Sequence, residues 1–130
     1  ISGKVAPLTL SVRPTSPDRV NVVVSVIDFK YLFGGYLTVF HLCRMLADRG
    51  WRVRLVIVDP CDYRPADWAY GFRRYRGLED LLDRVDLAYM ADRRVPLPAG
   101  PGDVFLATSC WTAHVAHAAA RTLGQDRFVY

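Results

Sequence analysis

The sequence predicts an α/β fold, a parallel sheet with helices on both faces. Three observations carry that prediction. Residues 20–26 are an apolar, mostly β-branched run that does not alternate, as a strand covered on both sides requires. A helical period follows over Tyr36 to Arg49, and a second apolar strand, Val53 to Val58, comes directly after it. The order of strand, helix and strand returns between Asp103 and Tyr130. Strands that alternate with helices imply right-handed crossovers and hence a Rossmann-like doubly wound layer.

Taken in chain order, residues 1–18 contain Pro7, Pro14 and Pro17 and few periodic apolar positions, which predicts an extended arm or linker ahead of a domain spanning 19–130. In the first helix Val39, Leu42, Cys43, Leu46 and Ala47 repeat at helical spacing, with His41, Arg44 and Asp48 on the other side. Gly50 is placed to end it in the left-handed conformation. Residues 60–77, rich in aromatics and arginine and broken by Pro60 and Pro65, read as a long loop with a turn of helix. A short helix over Leu78 to Arg84 and a third strand over Asp86 to Met90 follow. The prolines at 96, 98 and 101 make Asp92 to Gly102 a loop. Asp103 to Thr108 is the fourth strand. Thr108 or Ser109 caps a helix from Trp111 to Leu123, Gly124 ends it, and Phe128 to Tyr130 begins a fifth strand.

A chain of 130 residues suits one domain with its own core, and 52% hydrophobic with 23% charged residues is ordinary for a soluble globular protein. No apolar run approaches the roughly 18 to 20 residues of a membrane span. The start at Ile1 and the apolar end predict a piece of a longer protein. The three cysteines, 43, 61 and 110, lack CxxC spacing, so they suggest no metal site; Cys43 reads as a buried thiol of a reducing compartment. The net charge of +4 is almost all arginine, scattered except at Arg73, Arg74 and Arg76, and scattered charge reads first as a solvated surface.

Three constellations offer chemistry. Gly34 and Gly35, between a strand and a helix, let a phosphate, a sugar or a partner loop reach the backbone, with a helix N-terminus behind them; the bland alternative is a tight turn needing positive φ. The spacing is not GxGxxG, although Asp59 stands where a dinucleotide-binding acid would, so NAD binding is disfavoured. At the turn after the fourth strand, Ser109, Trp111, Thr112 and His114 bring hydroxyl, aromatic and imidazole groups to the same end of the sheet. His114 and His117 share a helix face but have no third metal ligand nearby. In residues 62–76, Tyr63, Trp68, Tyr70, Phe72 and Tyr75 interleave with arginines, which suits either stacking on sugars or bases or plain packing on the sheet.

The segments VNVVVSVIDFKYLFGGYLTVFHLCRMLADRGWRVRLVIVD and DVFLATSCWTAHVAHAAARTLGQDRFVY cover about half the chain. They resemble the N-terminal domain of a GT-B glycosyltransferase of the family 4 type, and most of all bacterial rhamnosyltransferases of surface glycan synthesis. The glycine pair followed by a helix and RGWRVRLV carries the general likeness, and ATSCWTAHVAH the rhamnosyltransferase one.

The resemblance implies two Rossmann-like domains with the reaction between them. This domain would receive the glycan acceptor, and a C-terminal domain would hold most of the nucleotide diphosphate sugar. It would place Gly34, Gly35 and Tyr36 near the donor phosphates, with Ser109, Trp111, Thr112 and His114 on the acceptor side. The isolated domain would be inactive, and no catalytic residue is assigned. No metal or other cofactor is expected. The expected partners are the C-terminal domain, the donor and the acceptor, not nucleic acid, in the cytoplasm or peripherally at the inner membrane face. The competing readings are a non-catalytic carbohydrate- or protein-binding module and a nucleotide-dependent enzyme of another kind.

Overall fold

A computed structural model describes residues 2–130. Among the described residues there are six strands, β1 (Thr9–Val12), β2 (Val20–Val24), β3 (Val53–Ile57), β4 (Asp86–Tyr89), β5 (Pro96–Ala99) and β6 (Val104–Ala107), and four α-helices, α1 (Gly34–Asp48) between β2 and β3, α2 (Pro65–Phe72) and α3 (Leu81–Arg84) between β3 and β4, and α4 (Cys110–Thr122) after β6. The main sheet is wholly parallel in the order β4-β3-β2-β6. A parallel bridge from Leu106 to Val129 adds the beginning of a further strand beside β6.

Every residue of β2 and β3 is buried, which explains why their sequences do not alternate. Val22, Val24, Leu55 and Ile57 face one core with Phe40, Cys43, Phe72 and Leu81 from α1, α2 and α3. Val23, Val56 and Phe105 face the other with Val115, Ala116 and Ala119 of α4 and Leu8 of the N-terminal segment. Helices therefore cover both faces, as the sequence predicts. Burial pushes the Cys43 thiol up to about 12, so it stays protonated. Gly50 and Gly124 carry positive φ at the ends of α1 and α4, the conformation that a side chain resists.

Four details differ from the sequence reading, each for a local reason. Residues 9–12, inside the stretch read as an arm, form β1 and pair in parallel with β5. The loop expected over 92–102 thus contains a strand: Pro96 and Pro98 are exposed while Leu97 and Ala99 are buried, and an edge strand tolerates residues that lack an N–H. In 60–77 the helix is not one turn but eight residues, started by Pro65 in its first turn and anchored by buried Trp68 and Phe72. Helix α1 begins at Gly34 rather than Tyr36, and neither Gly34 nor Gly35 has a positive φ. The glycine pair is the first turn of a helix, not a strained bend.

The aromatics of 62–76 are mostly structural. Phe72 meets Phe29 and Phe40 edge-on at 5.0 Å, and Tyr63 stacks on Tyr89 at 5.2 Å. Tyr70 stands out furthest, with Arg74 5.8 Å from its ring, and Tyr63 is also exposed.

Candidate functional site

The strand order reverses between β2 and β6. From β2 the chain leaves for α1 on one face and builds outward through β3 and β4; from β6 it leaves for α4 on the other. Two diverging connections leave a crevice at the carboxyl ends of the strands, the usual ligand position in such a sheet. A cleft of about 210 Å³ lies there, lined by Ser25 after β2, Gly35, Tyr36 and Val39 of α1, and Thr108 and Ser109 after β6.

The two helix N-termini at this cleft are treated differently by the sequence. Helix α4 is sealed: the Ser109 hydroxyl accepts from the Thr112 amide at 3.2 Å, and the Thr112 hydroxyl accepts from the amides of Ser109 at 2.8 Å and Thr108 at 2.9 Å. That is a reciprocal capping box. Helix α1 has Phe33 at its N-cap and no side-chain cap, and no acidic residue lies in its first turn. The amides of residues 34, 35 and 36 have no acceptor within the helix. A side-chain carbon built on Gly34 or Gly35 would meet nothing within 4 Å, so each glycine borders open space. The arrangement supplies aligned N–H donors and a partial positive charge to whatever enters.

Tyr36 borders this cleft and a second, wider groove of about 850 Å³ lined by Gly3, Lys4, Tyr31, Asp59 and Ala91 among others. Its phenol pKa is raised, first by burial and then by the carboxylates of Asp59 and Asp28, so the hydroxyl remains a donor at neutral pH. Lys4 Nζ lies 3.7 Å from an Asp59 carboxylate oxygen and 5.9 Å from the centre of the Trp111 ring.

The structure thus brings Gly35, Tyr36 and Ser109 to one cleft, with Gly34 exposed one residue earlier on the same helix. Thr112 is fully buried, and its hydroxyl is engaged by the turn it stabilises. Trp111 is partly exposed beside Lys4. His114 lines a separate shallow groove with Ala113, His117 and Phe128. Ser25 was missed by the sequence reading, although it is the one polar interruption at the end of an apolar strand. Lys4 had no signal, because only folding carries it to the rim. Among the described residues no cluster of three or more His, Cys, Asp or Glu is arranged to hold a metal ion, and no helix is long and apolar enough to cross a membrane.

A family model described as "WsaF, N-terminal domain" matches residues 19–128, most of the chain. No curated protein matches the sequence. The chain belongs to the WsaF N-terminal domain family, a glycosyltransferase-associated domain.

Proposed function

We propose that this member of the family is the acceptor-side domain of a GT-B glycosyltransferase, moving a sugar from a nucleotide diphosphate sugar to a hydroxyl of a glycan. One observation carries the reading: the switch-point cleft is walled by an uncapped helix N-terminus whose first two residues have no side chain. In glycosyl transfer the bond from the sugar to the diphosphate breaks, and negative charge collects on the leaving oxygens. Fixed N–H donors at 34–36 meet that charge without reorganising. Ser25 and Tyr36 also line the cleft, and their hydroxyls can hold sugar hydroxyls.

Membership of the WsaF family supports rhamnose as the transferred sugar, since WsaF is a rhamnosyltransferase. A second α/β domain closing over the cleft would supply most of the nucleotide contacts. No metal or other cofactor is needed where backbone amides carry the electrostatics. The net charge of +4 is compatible with work at the inner face of a membrane.

The test is to incubate the whole protein with labelled nucleotide diphosphate sugars, dTDP-rhamnose first, and a panel of glycan acceptors. Transfer of label to an acceptor is the expected result. No donor consumed with any acceptor would overturn the transferase reading; oligosaccharide binding that survived such a failure would favour a non-catalytic carbohydrate module.

A further inference from the structure

The wider groove has a wall that the family match does not include. Residues 2–5 form a short 3₁₀ turn that packs against α4, and Gly3 and Lys4 face the groove opposite Tyr31 and Tyr36. Its volume of about 850 Å³ is within the roughly 300 to 1,000 Å³ of ligand clefts. Ser25 and Tyr36 line both this groove and the switch-point cleft, so the two adjoin.

Their chemistry differs. The narrow cleft offers unpaired backbone amides, which suit an anion. Among the described residues of the groove lining, Lys4 and Asp59 carry the charged side chains and lie 3.7 Å apart, and Arg93 is near enough to Asp59 to act on it electrostatically. The lysine is half exposed, with 51% of its side chain accessible, while the Asp59 side chain is 13% accessible; the pair therefore presents ammonium donors and carboxylate acceptors side by side. Tyr31 is 64% exposed and gives an aromatic face, and the Tyr36 hydroxyl gives a further donor. An apolar platform beside paired donors and acceptors suits a neutral sugar, with one face of C–H groups and a rim of hydroxyls.

We propose that the N-terminal segment ahead of residue 19 completes a neutral-oligosaccharide subsite in this groove, with Lys4 and Asp59 as the pair that determines acceptor specificity. The inference rests on the transferase reading and extends it: the anionic donor end occupies the amide-walled cleft, and the acceptor glycan runs from there across the groove toward Lys4. Contacts made by residues outside the shared family segment would let related domains keep one donor site and differ in acceptor.

The experiment titrates the whole protein by calorimetry with two kinds of probe: dTDP, and a panel of neutral rhamno-, manno- and galacto-trisaccharides. For the trisaccharide that binds best, Lys4→Ala and Asp59→Asn are each expected to weaken affinity about tenfold, the scale of one hydrogen bond to a charged group, with dTDP affinity unchanged and Lys4→Arg restoring most of the loss. Thermal unfolding of each variant separates this from a structural role. Unchanged trisaccharide affinity in Lys4→Ala, or a loss of dTDP affinity in its place, overturns the inference while leaving the transferase reading intact. A wild-type protein that binds none of the probes overturns both.

Discussion

The two ends of the parallel sheet both collect polar residues and use them in opposite ways. At the amino end, Asn21, Arg54 and Asp103 are buried together. Arg54 donates to the Asn21 side-chain oxygen at 2.7 Å and to the Pro98 carbonyl at 2.8 Å, and its guanidinium lies 3.5 Å from Asp103. Asp103 also accepts from the Asn21 amide group and from the backbone amides of Arg19 and Gly100. Burial, then neighbouring Arg19, lowers the Arg54 pKa to about 10, against the pull of Asp103 and Asp86, and the residue remains charged at neutral pH. At the carboxyl end, the first turn of α1 leaves its amides unmatched beside an open cleft. Groups that satisfy one another hold a fold together; groups left unsatisfied are available to a ligand. The β1–β5 ribbon closes the first end, through the Pro98 carbonyl, and only the second stays open.

The contrast predicts how substitutions divide between stability and function. Asp103→Ala is expected to have the largest effect on folding, about 3–5 kcal/mol, because it leaves the Arg54 charge buried without its counter-ion. Urea denaturation checks this, and a loss under 1 kcal/mol would mean that the network is not the anchor described here. Ser109→Ala opens the α4 capping box and should cost about 1 kcal/mol in the same assay. The smallest effect on stability belongs to Gly35→Val: the new side chain meets no neighbour, so unfolding should shift by no more than about 0.5 kcal/mol. In the whole protein the same branched side chain would project into the cleft that Gly35 lines and is expected to cut sugar transfer at least tenfold. If that variant unfolds easily, or transfers normally, the carboxyl end is not the open, functional end.

Most of the main sheet was legible because burial on two faces writes itself into sequence as unbroken β-branched runs, as in residues 20–24 and 53–57. Helix ends were legible where glycine or serine makes a specific local bond, at Gly50, Ser109 and Gly124. The β1–β5 ribbon was not legible. Its prolines read as breakers, and its partner strands are separated by more than eighty residues, so pairing between them leaves no local periodicity. In the site, the glycine pair was readable as small residues between a strand and a helix, and Ser109 as a cap after a strand. The burial of Thr112 and the separation of His114 from the cleft were not, because a capping residue and a ligand-binding residue of the same type look alike until hydrogen bonds are assigned.

By itself, then, the sequence determined which segments become buried strands and helices and where several of those helices stop, since these depend on side-chain pattern and local backbone chemistry. Only the tertiary structure decided which polar groups are spent on one another and which remain open. That outcome depends on long-range partners: Asp103 reaching Asn21 and Arg54, the N-terminal turn bringing Lys4 to Asp59, and no side chain arriving to cap α1.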